Sequence, residues 1–300
     1  MCCPTTWASP TVVAMVETVD LSAMLLRDET GRGLTGHLAR PKGKGPWPGV
    51  VVLFEGAGPD AVNRRHADRM AEAGYLALMP DLYHGRGPSR CMVSVMRSVS
   101  TGRGRPYADI EAARQWLLAA EDCTGRVGVI GFCMGGGFAL LLAGQGTYDV
   151  AAANYAQLPR DPDAALRGAC AIVASYGGKD KVFRGGAAKL EAALSRAGVE
   201  HDVKLYPDAG HSFLNETDNA PPALRPVLRT ILGIGPEPAA AADAWQRIET
   251  FFARHLTADA PTESEADATT QAPPPTTTKP PTEAGSKSPG AAANEAPPTG

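Results

Sequence analysis

The stretch from Arg126 to Ala143 constrains the fold more than any other. Arg126–Gly131 (RVGVIG) reads as an apolar β-strand and Gly135–Ala143 as an apolar helix. Between them runs Gly131-Phe132-Cys133-Met134-Gly135-Gly136-Gly137. So tight a passage from strand to helix forces its central residue into a strained backbone conformation, and small neighbours let the chains approach. This is the setting of the G-x-S-x-G nucleophile elbow, with Cys in place of Ser. A helix N-terminus beneath Cys133 favours a thiolate, and the Met134 N–H points to where an oxyanion would form. Two blander readings compete. An isolated Cys is often a small buried hydrophobe, and a Gly-rich turn before a helix also suits a phosphate. Against phosphate, the chain has no GxxxxGK[ST] and the turn is not GxGxxG.

Around this unit, strand and helix patterns alternate. Gly49–Phe54 is a continuous apolar run, as expected of a strand buried on both faces. Ala61–Ala73 has helical spacing and stops at Gly74, and Tyr75–Met79 is a strand halted by Pro80-Asp81. Asp109–Ala120 reads as an amphipathic helix, Ala169–Tyr176 as a strand, Ala187–Ala197 as a helix, Asp202–Tyr206 as a strand and Ala241–His255 as a final helix. Such alternation predicts a parallel sheet covered by helices on both faces. Earlier, two extended pieces within Val16–Ala39 flank a turn-rich Asp28–Gly33, which adds antiparallel strands at the start. The expected organisation is a flexible N-terminus over 1–15, one domain over 16–256 and a disordered tail over 257–300. The tail contains no aromatic residue and no Val, Ile, Leu or Met, so it cannot bury enough apolar surface to offset its ordering entropy.

Composition excludes several classes. With Lys+Arg 29 against Asp+Glu 32, the net charge is −3, without the basic excess of a nucleic-acid binder. The six Cys include no CxxC pair and no zinc-like spacing, so no metal is expected and a reducing, cytoplasmic setting is the simpler reading. No run approaches the roughly 18 apolar residues needed to span a bilayer. No long apolar stripe suggests self-association, so a monomer is expected.

Two further residues carry chemistry. Asp180, in Tyr176-Gly177-Gly178-Lys179-Asp180, follows a buried strand, where ligand and catalytic groups gather in open α/β sheets. His211, in Ala209-Gly210-His211-Ser212-Phe213, also lies on a loop after a strand. Alone, each is an ordinary loop residue. Together with Cys133 they give nucleophile, acid and base in the chain order of α/β-hydrolases. In that arrangement His211 takes the thiol proton, Asp180 holds the imidazole tautomer and Cys133 attacks a carbonyl.

GFCMGGG, YGGKD and AGHSF, in this order, resemble the dienelactone hydrolase family (carboxymethylenebutenolidases) of the α/β-hydrolase superfamily. VVLFEGAG at Val51–Gly58 and GYLALMPDLYHGRG at Gly74–Gly87 extend the resemblance, which covers roughly Val16–Leu256. It implies an α/β-hydrolase fold: a mostly parallel central sheet, antiparallel strands at its N-terminal edge and helices on both faces. It also implies a Cys133–His211–Asp180 triad, an oxyanion hole from the N–H groups of Met134 and Gly56, and a Glu55 that pairs with the resting thiol or controls its ionisation. Tyr83 and Arg86 are the candidate substrate-binding residues. The sequence departs from the family where dienelactone-cleaving members carry a carboxylate-holding arginine, four residues after the catalytic His: here stands Asn215. Arg86 matches the other family arginine only with a one-residue loop shift. The basic segment Ser89–Arg105 either caps the site, with Arg90 or Arg97 as substitute arginines, or is a surface helix.

The expected function is hydrolysis of a small ester or lactone through a covalent acyl-enzyme, without cofactor. The alternatives are a general carboxylesterase or thioesterase for uncharged substrates, and a non-catalytic scaffold that binds a ligand or partner.

Overall fold

The computed structural model of the protein describes residues 15–25, 33–218, 223 and 225–257. Of the expected termini, Met15 already opens the first strand and Thr257 caps the last helix. The rest of both, with the turn at Asp28–Arg32, lies outside the described residues. The described part is built on an eight-stranded sheet of order β1-β2-β4-β3-β5-β6-β7-β8. Its strands are β1 (Met15–Asp20), β2 (Thr35–Arg40), β3 (Trp47–Leu53), β4 (Leu76–Pro80), β5 (Cys123–Phe132), β6 (Val150–Asn154), β7 (Ala171–Gly177) and β8 (His201–Tyr206). Strand β2 runs antiparallel to both neighbours, and every pair from β4 to β8 is parallel. The fold is therefore the α/β class expected, with its antiparallel strands at one edge.

The helices are α1 (Ala61–Glu72), α2 (Pro88–Thr101), α3 (Arg105–Ala119), α4 (Met134–Ala143), α5 (Pro162–Ala165), α6 (Gly186–Ala197), α7 (Arg225–Val227) and α8 (Pro238–Leu256). Strand β5 shows how they divide. Alternate residues of a strand point to opposite faces. Gly128 and Phe132 face α8 and α1, through Phe252, Trp245 and His66, whereas Gly131 faces the start of α4. Burial on both sides explains why β3 carries five fully buried residues in succession, Val50 to Phe54 counting the residue just past its end.

Two elements differ from the sequence reading. Strand β6, VAAAN, lacks the bulky β-branched run that marks a strand. Helix α4 packs closely on its end: a methyl group at Gly136 would meet Asn154 O at 2.9 Å and Ala156 Cβ at 2.8 Å. Helix α3 starts four residues before the expected Asp109, with Pro106 in its first turn, where a missing N–H leaves no helical bond unmade. Among the described residues no helix is long and apolar enough to cross a membrane.

Candidate active site

In a parallel sheet all C-terminal strand ends lie along one edge, and the predicted residues meet there. Cys133 directly follows β5, Asp180 lies three residues past β7, and His211 lies five past β8. Cys133 has φ 52° and ψ −111°, a left-handed conformation unusual for a residue with a Cβ. The turn is held from both sides. The Cys133 N–H donates to Asn154 O at 3.0 Å, and Cys133 O accepts from Gly137 N–H at 3.2 Å. A Cβ at Gly131 would stand 2.0 Å from Gly135 O, and one at Gly135 would stand 2.1 Å from Leu53 O. Glycine at both positions is thus a steric requirement, because the obstacle is backbone that cannot swing away.

His211 is fixed through its backbone: its N–H donates to Gly233 O at 2.6 Å, and its carbonyl accepts from Gly235 N–H at 2.9 Å. Its Nδ1 lies 2.7 Å from Asp180 Oδ2. The other Asp180 oxygen accepts from the N–H groups of Val182 and Phe183 at 2.7 and 3.2 Å. One carboxylate oxygen thus belongs to the backbone and one to the imidazole, so Nδ1 carries a proton. Burial works against an imidazolium here. Hydrogen bonds to Asp180 and Cys133, with the negative charge of both, outweigh it and raise the His211 pKa to about 10. Phe183 and Tyr155 flank the ring, at centroid distances of 5.4 and 5.0 Å.

Beside this group sits a second one. Glu55, two residues past β3, is buried. Its Oε1 accepts from Tyr155 Oη at 2.8 Å. Its Oε2 accepts from Ser212 Oγ at 3.1 Å and Asn215 Nδ2 at 3.4 Å. Burial, then the charge and hydrogen bond of Glu55, push the Tyr155 pKa well above 10, so this hydroxyl remains a donor. Among the described residues no arginine or lysine pairs with Glu55, and its hydrogen bonds go to these three side chains, not to Cys133. Asn215 also places Oδ1 2.9 Å from His66 Nε2.

Tyr83 lies wholly beneath the surface, and its hydroxyl donates to Gly56 O at 2.8 Å, which fixes the loop after β3. The Gly56 N–H has no acceptor among the described residues. Met134 is the first residue of α4, so its N–H has no partner within the helix. The basic segment forms α2, and its Met92 lies against Gly56, with Sδ 3.2 Å from where a Cβ would stand. Arg86, Arg90 and Arg97 are exposed. Sequence reading did not single out Tyr155, Ser212 or His66. Ser212 lies inside the AGHSF motif, while Tyr155 and His66 carry no local pattern that marks them.

A family model described as "Dienelactone hydrolase family" matches residues 34–256. The carboxymethylenebutenolidase of Rhodococcus opacus is 30% identical over 226 residues, which is 69% of this chain and 81% of that protein. A dienelactone hydrolase-like promiscuous phosphotriesterase from metagenomic libraries superimposes with a TM-score of 0.65 at 23% identity, covering 81% of this chain and 99% of that one. The dienelactone hydrolase of Anabaena variabilis gives a TM-score of 0.55 at 20% identity, with coverage of 81% and 99%.

Proposed function

The chain belongs to the dienelactone hydrolase family and is an ester hydrolase of that type, and from this premise we propose that it cleaves a small ester or lactone through Cys133, His211 and Asp180. The observation that carries the reading is His211, with one ring nitrogen 2.7 Å from Asp180 and with Cys133 at the end of β5 along the same sheet edge. His211 takes the thiol proton as Cys133 becomes the nucleophile, the part a neighbouring base plays in activating a thiol. The thiolate attacks the carbonyl carbon, and the oxygen takes the charge and accepts hydrogen bonds from the Met134 and Gly56 N–H groups. The tetrahedral intermediate collapses, the C–O bond breaks, and His211 gives its proton to the leaving alkoxide. In a lactone that alcohol stays tethered to the acyl group. His211, now neutral, takes a proton from water as the water attacks the thioester, and the acid leaves with Cys133 restored. Asp180 orients the ring and offsets its charge throughout.

A second reading concerns the substrate. Where the resemblance expects a carboxylate-binding arginine, Asn215 is buried and donates to Glu55. An anionic acyl group beside Glu55 meets a carboxylate without a cation, which favours uncharged esters or lactones over an anionic dienelactone.

Initial rates on a neutral nitrophenyl ester and a cis-dienelactone, for wild type and Cys133→Ala, test both readings. Cys133→Ala should lose at least about 10³-fold on every substrate turned over. Full activity in that variant overturns the thiol mechanism. Dienelactone turnover as fast as that of the neutral ester overturns the preference for uncharged substrates.

A further inference from the structure

One buried histidine takes no part in the steps above. His66 lies on α1 at 3% exposure, and its ring stacks on Phe132, the residue before Cys133, at 3.9 Å and 14°. Trp245 of α8 lies against both rings, 5.7 Å from His66 and 5.8 Å from Phe132. Burial lowers the His66 pKa to about 4; Arg69 and Arg65 push the same way, and the hydrogen bond to Asn215 opposes them. The ring is therefore neutral at working pH and has a single N–H to give.

The polarity of its bond to Asn215 follows from the far end of the chain. Asn215 turns its NH₂ toward Glu55, with Nδ2 donating to Oε2 at 3.4 Å. Asn215 Oδ1 then faces His66 Nε2 and can only accept, so Nε2 carries the proton. A flipped amide sets oxygen against the Glu55 carboxylate and NH₂ against the His66 N–H, which leaves two buried mismatches. In its Nε2–H tautomer the neutral ring thus admits one amide orientation.

We propose that His66 is a positioning residue for the reaction: its Nε2–H locks the Asn215 amide with its NH₂ on Glu55, and so keeps the Glu55 carboxylate in its three-donor cage. This rests on the triad reading above. The cage bears on His211 twice. Tyr155, which donates to Glu55, packs edge-on against the His211 ring, and Ser212, which also donates, is the next residue in the chain. Without the lock the amide is free to rotate, Glu55 loses a donor, and the two groups that brace His211 shift with it. The loss falls on kcat for a neutral ester, because the base is displaced while an uncharged acyl group draws no binding from the Glu55 charge.

The test compares His66→Phe with His66→Gln on a neutral nitrophenyl ester. Phe keeps the stack on Phe132 and removes the donor; Gln loses the stack and can supply an N–H. The lock predicts a kcat about tenfold lower for His66→Phe with KM little changed, and His66→Gln within about threefold of wild type. A residue that merely packs gives the reverse order, and that order overturns the proposal. In an Asn215→Ala background His66→Phe should have no further effect; an undiminished tenfold loss there overturns the proposal as well. If His66→Phe fails to fold, Asn215→Leu removes the lock from the other side: a tenfold fall in kcat supports it, and an unchanged kcat overturns it. Failure of the triad reading is seen separately, as full activity in Cys133→Ala.

Discussion

The proposed reaction centre at Cys133 and the cage around Glu55 share one edge of the sheet but are held by different means. Cys133 is set by its own backbone, with φ 52° and glycines at 131 and 135 whose absent side chains let the turn close. Asp180 and His211 are likewise aimed by backbone N–H and C=O groups around them. Glu55 is set by side chains distant in sequence: Tyr155, Ser212 and Asn215 lie 100, 157 and 160 residues away. The contrast separates two kinds of information. Reaction class rests on local backbone geometry, which tolerates little change. On the proposed function, selectivity rests on side-chain hydrogen bonds between elements, where one substitution, such as Asn215 in place of an arginine, changes the charge offered to the substrate.

The sharpest way to break this contrast is to strike the backbone-held side first. Gly135→Ala brings a methyl group to 2.1 Å from Leu53 O, so strand and helix must part. We expect a loss of about 3 kcal/mol in stability by urea unfolding, and loss of activity with it. A variant with wild-type stability means that the turn is less constrained than its geometry implies, and the distinction between the two regions fails.

Glu55→Gln strikes the other side and should act more gently. A glutamine has one acceptor oxygen for three donors, so at least one of Tyr155, Ser212 and Asn215 loses its acceptor in a buried setting. A destabilisation of about 1–2 kcal/mol is expected, with kcat down about tenfold on a neutral ester. A fall as deep as that of Cys133→Ala would place Glu55 in the bond-making step and merge the two regions.

This division also marks how far the sequence could be read. The turn at Cys133, the strands β3, β5 and β7, and the loops bearing Asp180 and His211 leave local traces: apolar runs, glycines and short motifs. Strand β6 leaves none, because its run of alanines lacks the β-branched residues that mark a strand. Glu55 stood out as a carboxylate after an apolar strand, and Asn215 as a departure from a family pattern. Their partnership is invisible in one dimension, as is the role of Tyr155, which enters through β6 and sits at φ 37°. His66 reads as one more residue of an amphipathic helix until the fold lays it on Phe132 and Asn215.

A last test separates the regions by pH, since their histidines titrate in opposite senses. His211 has a folded pKa of about 10, above its ordinary 6.5, so its contribution to stability is complete below 6.5 and is lost as pH rises through 10. His66 has a folded pKa of about 4, below 6.5, so its contribution is present above 6.5 and is lost as pH falls through 4. Each adds a slope of at most about 1.4 kcal/mol per pH unit within its own window. Urea midpoints at pH 4.5, 7 and 9.5 resolve them. His66→Gln should flatten the acid limb and leave the alkaline limb alone. Asp180→Asn, which removes the charge that retains the His211 proton, should flatten the alkaline limb and leave the acid limb alone. If either variant moves both limbs, the two regions are coupled through Tyr155 and Ser212 more tightly than their hydrogen bonds indicate, and the division between backbone-set chemistry and side-chain-set selectivity gives way to a single cooperative unit.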